Sequence, residues 1–168
     1  DCFGNLFVVD RNNHRIQKYV PFNNTKSKIV SMIKMISFSC ILVPSYNTPK
    51  FHASRTWNSD GITFADNDTI GTNAWGIYID KNNRIYVPSR QYGRIHIWFP
   101  NGQNTTVNIS RSSSYAYAIC VSSNGDIYVS SQYSSSSSYY IDKLTANSNG
   151  TTLVTTSTRL CFGLFIDN

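Results

Sequence analysis

Glutamate is absent from this chain of 168 residues, and charged residues of both signs make up only 14% of it. Strong helix formers are therefore scarce, and a helical fold is not expected. Hydrophobic residues make up 40% of the chain. This content is too high for an intrinsically disordered protein and indicates a packed globular one. The chain is instead rich in tyrosine, phenylalanine, serine, threonine and asparagine. Aromatic and β-branched residues suit pleated strands, and asparagine and serine suit turns, so we predict an all-β protein.

Sequence patterns of catalytic and metal sites are also missing. The chain contains no Gly-x-Ser-x-Gly elbow, no P-loop and no His-Glu-x-x-His helix. Its three histidines, His14, His52 and His96, occupy different positions of the repeat described below. A metal site requires several converging ligands, and these histidines are not placed to converge. We therefore expect no enzymatic activity, no cofactor and no bound metal.

Cysteines and long apolar runs are limited too. Four cysteines permit three disulfide pairings, and no Cys-x-x-Cys spacing selects a zinc site. Cys120 falls within a predicted inner strand, where a buried thiol is expected. The apolar stretch Ile29–Val43 is shorter than the roughly twenty residues that span a bilayer, so we predict no membrane span. The cysteines are Cys2, Cys40, Cys120 and Cys161.

A repeat of about forty residues organises the chain. In the copy at residues 75–115, apolar residues alternate along three short segments, which is typical of strands. Asn82 and Asn83 separate the first two segments and tolerate the left-handed backbone of a tight turn. The predicted elements are strand Trp75–Asp80, turn Lys81–Asn83, strand Arg84–Ser89, loop Arg90–Gly93 and strand Arg94–Trp98.

Other segments repeat this pattern in whole or in part. Asn124 and Gly125 form the turn of the fullest of them. Phe7, Tyr86 and Tyr128 align in the second strands between aliphatic residues, which predicts sheets buried on both faces. The copies lie at approximately residues 1–25, 52–74 (the outer part only), 75–115, 116–159 and 160–168 (the start of a next copy).

The segment Asp10–Tyr19 resembles the signature of the NHL repeat, in which an aspartate is followed by an asparagine-histidine loop and an arginine-isoleucine strand. Residues 75–109 and 116–168 are similar to the same unit in a more degenerate form. The resemblance implies a single β-propeller domain over residues 1–168, with about three to four four-stranded antiparallel blades of a longer ring. It also implies a structural signature that ties each loop to the neighbouring strand: Asp10, Arg15, Asp80, Arg94 and Asp167.

The spacing between the first copy and the copy at residues 75–115 is nearly twice the later spacing. The excess falls at residues 26–51, which we interpret as an irregular insertion in the N-terminal third. A buried strand pair and a helix packed against the sheets both fit its apolar centre. A segment foreign to the mature protein fits as well.

Charge is distributed unevenly along the chain, whose formal net charge is +6. No acidic residue occurs between Asp10 and Asp60. One interpretation is a basic sector that attracts nucleic acid or an acidic partner, and the other is a set of residues that keeps a surface solvated. The basic residues of this sector are Arg11, Arg15, Lys18, Lys26, Lys28, Lys34, Lys50 and Arg55.

These features favour a non-enzymatic interaction module, in which a rigid propeller presents loops to a protein partner. The first alternative is an RNA-binding or ubiquitin-ligase-scaffold propeller that uses the basic sector. The second alternative is a metal-dependent lyase-type propeller, whose histidine or aspartate ligands would come from further blades. The candidate binding residues are Arg11, Asn13, His14, Arg90, Tyr92, Tyr133 and Tyr139.

The composition also bears on location. Asn-x-Ser/Thr sequences are acceptors for N-glycosylation in secreted proteins. Together with scarce lysine and abundant serine and threonine, they favour an extracellular or lumenal location over a cytoplasmic one. The acceptor asparagines are Asn23, Asn67, Asn104, Asn108 and Asn149.

Overall fold

Alternating apolar residues separated by tight turns fold the chain into a succession of antiparallel hairpins. The computed structural model describes residues 5–21, 56–109, 114–133, 137–145, 151–156 and 163–164. Within these ranges the protein is all-β, with one three-stranded and two four-stranded antiparallel sheets. In each sheet, strands that follow one another along the chain lie side by side. The prediction of an all-β chain is confirmed.

We number the three sheets in chain order. The first sheet contains β1 (Leu6–Asp10), β2 (Arg15–Tyr19) and β3 (Ile62–Ala65). The second contains β4 (Tyr78–Ile79), β5 (Ile85–Ser89), β6 (Arg94–Trp98) and β7 (Asn104–Asn108). The third contains β8 (Ser114–Val121), β9 (Ile127–Tyr133), β10 (Tyr139–Leu144) and β11 (Thr151–Thr156). A turn of 3-10 helix, Arg11–Asn13, joins β1 to β2, and one turn of α-helix, α1 (Asn67–Ile70), follows β3.

The first strand of the second sheet is shorter than its sequence predicts. Strand pairing is limited to Tyr78–Ile79, in place of the expected Trp75–Asp80. The backbone before Tyr78 instead packs against the third sheet. A Cβ atom placed on Gly76 would lie 2.8 Å from the carbonyl oxygen of Tyr117. Only glycine permits so close an approach between the two backbones.

The segment after β3 forms the short helix α1. Asp66 Oδ1 accepts hydrogen bonds from the backbone N of Thr69 (3.1 Å) and from Thr69 Oγ1 (2.9 Å). These bonds hold the pKa of Asp66 below its usual value and satisfy a donor at the start of the helix. Ile70, the last helical residue, is fully buried and fixes the turn against the core.

The first sheet draws on two segments that are distant in sequence. β2 pairs with β3 although residues 22–55 lie between Pro21 and Thr56. A bridge between Pro21 and Trp57 brings the ends of this interval together. The predicted insertion at residues 26–51 lies outside the described residues.

The second sheet lies between the other two, and both faces of its central strands β5 and β6 are buried, whereas β7 is mostly exposed. Ile85 and Val87 of β5 pack in one hydrophobic cluster with Ile16 of the first sheet. Tyr86, which points to the opposite face, packs in another cluster with Ile119 of the third sheet. Burying one such aliphatic side chain contributes about 1.5–3 kcal/mol. For these central strands, the prediction of burial on both faces is confirmed.

The sheets stack by equivalent faces. Ile127 of β9 occupies the register position of Ile85, and it packs towards the second sheet as Ile85 packs towards the first. Large aromatic rings pack between the third strands of the first two sheets, β3 and β6. The ring centroids of Phe64 on β3 and Trp98 on β6 are 5.3 Å apart. Each of the later two sheets therefore turns the same face towards the sheet before it.

The described part of the chain contains no helix that is long and apolar enough to cross a membrane. Cys120 is buried on β8. The other cysteines, and therefore the question of their pairing, lie outside the described residues.

Candidate interaction site

The turn at one end of the second sheet is built around a buried carboxylate. Asp80 Oδ1 accepts hydrogen bonds from the backbone N of Asn82 (2.8 Å) and of Arg84 (2.9 Å). Its Oδ2 accepts hydrogen bonds from Arg84 Nε (2.5 Å) and the Tyr86 hydroxyl (3.0 Å). Burial and the nearby carboxylate raise the pKa of the Tyr86 hydroxyl above its usual value, so it remains a donor. Asp80 is therefore committed to holding the turn.

A second carboxylate organises the loop between β1 and β2. Asp10 accepts hydrogen bonds from Arg15 Nε (2.9 Å), Gln17 Nε2 (2.8 Å) and Asn13 Nδ2 (2.9 Å). These bonds, led by that from Arg15, lower the pKa of Asp10 to about 2. Asn13, a predicted binding residue, is thus exposed but tied back to the sheet.

The second sheet lacks this carboxylate. Ser89 occupies the register position of Asp10, and Arg94 occupies that of Arg15. The guanidinium carbon of Arg94 lies 4.6 Å from the centroid of the Tyr92 ring. Arg94 Nε has no hydrogen-bond partner among the described residues. Of these two arginines of the repeat signature, Arg15 makes an ion pair and Arg94 stacks on a ring.

His96 is a core residue at the register position that Gln17 occupies in the first sheet. Its ring stacks on Trp98 with ring centroids 5.7 Å apart. Burial, together with the positive charge of Arg94, lowers the pKa of His96 to about 4. The ring is therefore neutral near pH 7. Within the ranges described, no three histidine, cysteine or acidic side chains come together to hold a metal ion.

At the end of the strands opposite the Asp80 turn, hydrogen bonds join the loops of neighbouring sheets. The backbone N of Asn73 donates to His14 Nδ1 (3.1 Å), and the backbone N of Thr72 donates to Gln91 Oε1 (2.9 Å). The segment before β4 thus ties the β1–β2 loop to the β5–β6 loop. We call this region the loop end, and its segments are Arg11–His14, Thr72–Trp75, Arg90–Tyr92 and Tyr115–Tyr117.

Two arginines of the loop end lie over aromatic rings. The guanidinium carbon of Arg11 is 3.5 Å from the centroid of the Trp75 ring, and that of Arg90 is 4.8 Å from the centroid of the Tyr115 ring. Trp75 also meets Tyr117 edge-on, with ring centroids 5.7 Å apart. Cation–π contacts at exposed sites stabilise such pairs by about 0.5–1 kcal/mol each. The contacts therefore restrict both guanidinium groups.

The structure brings most of the predicted binding residues to this region. Tyr133 and Tyr139 are partly buried at the end of the β9–β10 hairpin, outside the loop end as defined. The other five lie in the loop end: Arg11 and Asn13, which are exposed, His14 and Arg90, which are partly buried, and Tyr92, which is 42% exposed.

Three aromatic residues of the loop end were not predicted as binding residues from the sequence: Trp75, Tyr115 and Tyr117. The alignment of the repeats contains one signal that could have identified two of them. Trp75 lies three residues before Tyr78, and Tyr117 lies three residues before Cys120, which is the register equivalent of Tyr78. An aromatic residue thus recurs at the same place in both repeats, and these two rings contact each other.

The acceptor sequences for N-glycosylation that fall in the described ranges are accessible. Asn67 is exposed in α1, and Asn104 and Asn108 are exposed on β7. Asn23 and Asn149 lie outside the described residues, as does Asp167 of the repeat signature.

Comparison of the chain with models of protein families gives no match, and comparison with curated proteins gives none either.

Proposed function

We propose that the chain forms part of a β-propeller of the NHL type and acts as a non-enzymatic interaction module whose loop end binds a protein partner. Support for the propeller comes from consecutive antiparallel sheets that stack in chain order by equivalent faces. Four-stranded sheets arranged in this way are the unit of propeller architectures. The close approach of Gly76 to β8 fits sheets that converge at their first strands.

The observation that carries the binding role is the connection between the loops. His14 of the first sheet and Gln91 of the second accept hydrogen bonds from neighbouring backbone N–H groups, those of Asn73 and Thr72. Loops fixed in this way by a sheet scaffold lose little entropy when they bind. A surface composed of two loops is therefore presented as one rigid unit.

The chemistry of this surface also fits a protein interface. Arginine, tyrosine and tryptophan are the residues that most often dominate binding energy at such interfaces. The loop end combines Arg11 and Arg90 with Trp75, Tyr92 and the Tyr115 ring. Tyr92 is the exposed ring among them, and we expect it to be the main apolar anchor.

Selection of a random peptide library on the immobilised chain tests this proposal. We expect the selected peptides to bind the Tyr92→Ala variant at least about tenfold more weakly, because anchor residues contribute about 2 kcal/mol or more. Ile62→Ala is the matched control, since Ile62 is exposed on β3 and outside the loop end. Peptides that bind Tyr92→Ala and Arg11→Ala as tightly as the unchanged chain would show that the loop end is not the site.

An RNA-binding propeller is the competing outcome of the same test. It requires several uncommitted cations along one surface. In the described part of the basic sector, Arg15 is paired with Asp10, and Lys18 Nζ lies 5.9 Å from the centroid of the Phe7 ring. The third described cation of the sector, Arg11, lies over the Trp75 ring, and the other five basic residues lie outside the described residues.

A further inference from the structure

We infer that the loop end recognises an acidic peptide segment, with carboxylate side chains bound by Arg11 and Arg90. This inference rests on the proposed function and names the chemistry of its partner. The arginines of the described residues differ in whether they form an ion pair. Arg15 and Arg84 each form an ion pair with an aspartate of their own sheet. Among the described residues, no such pair forms at Arg11 or Arg90.

The two arginines repeat one position of the structural unit. Arg11 directly follows Asp10, and Arg90 directly follows Ser89, the register equivalent of Asp10. Each guanidinium lies over an aromatic ring of the next sheet along the chain. The same cation therefore appears twice, on neighbouring sheets, at the same end of the strands.

Stacking leaves these guanidinium groups suited to one kind of ligand. An arginine fixed over a ring keeps N–H donors at its edge, and this fork matches the two oxygens of a carboxylate. Arg90 Nε is buried without a hydrogen-bond partner among the described residues, so the protein does not neutralise the Arg90 charge there. A carboxylate of the ligand that binds the terminal N–H groups of Arg90 would supply that neutralisation. Restricting the side chains in advance lowers the entropy cost of binding.

The ring contacts also connect the two arginines. Arg11 lies over Trp75, Trp75 meets Tyr117, and Tyr115 lies two residues away on the same strand beneath Arg90. The ring contacts thus link the two arginines in part through the buried ring of Tyr117. In the complex we infer, separate acidic side chains of one extended segment contact Arg11 and Arg90.

The occupied rings favour a peptide over a nucleic acid. Single-stranded nucleic acids bind by stacking bases on open aromatic faces. Arg11 covers Trp75 and Arg90 covers Tyr115, while Arg94 packs on Tyr92, whose ring remains partly exposed. The cationic groups left for recognition are the N–H edges of Arg11 and Arg90, which is a small number for a phosphate backbone.

Fluorescence anisotropy with a labelled oligoglutamate peptide tests this inference. We expect Arg11→Ala and Arg90→Ala each to weaken binding at least about tenfold, because charge-assisted hydrogen bonds are the strongest polar contacts available. Arg11→Lys keeps the charge but not the fork, and we expect it to weaken binding as well. Lys81→Ala is the matched control. It removes one positive charge at the opposite end of the second sheet, where Lys81 contacts the Ser123 carbonyl oxygen, and we expect unchanged binding.

Equal affinity of the two alanine variants and the unchanged chain would overturn the inference, as would an equal loss in Lys81→Ala. Tighter binding of a labelled oligouridylate, lost in the same variants, would also overturn it and identify a nucleic-acid site. Unchanged thermal unfolding of each variant shows that the fold is intact. If library selection gives neutral peptides that need Tyr92, the acidic inference fails and the proposed function stands. If no selected peptide depends on the loop end, both fail.

Discussion

The second and third sheets build the same backbone turn and support it with different side chains. In the second sheet, the backbone N of Asp80 donates to the Arg84 carbonyl oxygen at 3.1 Å. In the third, the backbone N of Ser122 donates to the Asp126 carbonyl oxygen at 2.9 Å. The repeat therefore specifies the path of the backbone, while a carboxylate in one copy becomes a hydroxyl in the other.

The supporting charges are arranged differently as well. Ser122 Oγ accepts a hydrogen bond from the backbone N of Asp126 (3.1 Å), and the Asp126 carboxylate pairs with Lys143 Nζ on β10 (2.7 Å). This contact lowers the pKa of Asp126 and raises that of Lys143. In the second sheet, Asp80 alone caps the turn and pairs with the cation. One buried carboxylate there does what Ser122 and Asp126 do together in the third sheet.

We expect Asp80→Ala to give the largest loss of stability in this comparison. It removes the acceptor of four hydrogen bonds and leaves the Arg84 guanidinium and the Tyr86 hydroxyl without it. Because Arg84 is partly exposed, the loss comes mainly from the Tyr86 hydroxyl and the turn N–H groups, and leaving a buried donor unsatisfied costs about 1–3 kcal/mol. Urea unfolding measures this loss. Asp80→Ser installs the side chain that Ser122 has in the third sheet, and we expect it to be more stable than Asp80→Ala. A smaller loss in Asp80→Ala than in Ser122→Ala would show that Asp80 does not hold the turn.

The two sheets also differ at a buried position on their third strands. In the third sheet, Ser131 Oγ donates to Asp142 Oδ2 at 2.7 Å, and both residues are fully buried. His96 takes the register position of Asp142 in the second sheet, and its Nε2 has no hydrogen-bond partner among the described residues. A paired polar group in one sheet thus corresponds to an unpaired one in the other.

This difference predicts a contribution of His96 to the pH dependence of stability. Its pKa is about 4 in the folded chain, whereas a histidine exposed to water has a pKa of 6.5, so the unfolded chain binds the proton first. The contribution of His96 to stability is complete above pH 6.5 and falls as the pH drops towards 4, by about 2 to 3 kcal/mol. Urea unfolding from pH 7 to pH 4 measures this decrease. His96→Gln installs the side chain of Gln17, and a pH dependence that persists in this variant would assign it to another group.

We expect Ser122→Ala to give the smallest loss. It removes a hydroxyl that bonds the Asp126 backbone, while the backbone turn and the ion pair with Lys143 remain. A hydrogen bond of this kind contributes about 1 kcal/mol. Urea unfolding beside Asp80→Ala gives the ratio of the two effects. Equal losses would mean that the turns are not supported differently.

The sequence predicted those elements that local residues determine. β6 has the bounds expected from its alternation, and the Asn124-Gly125 turn lies where that pair of residues places it. Contacts between sheets could not be predicted, because Arg11 and Trp75 are far apart in the chain. The repeat signature named Asp80 without naming its partner, and the tight turn brings Arg84 to that carboxylate.

The bare backbone of Gly76 has a consequence beyond its own contact. At this glycine the segment before β4 and strand β8 meet backbone to backbone, whereas the rings of Phe64 and Trp98 separate β3 from β6. A methyl group at Gly76 therefore forces these two backbones apart, so the cost of Gly76→Ala falls on the packing between the second and third sheets and not on the hydrogen bonds within either sheet.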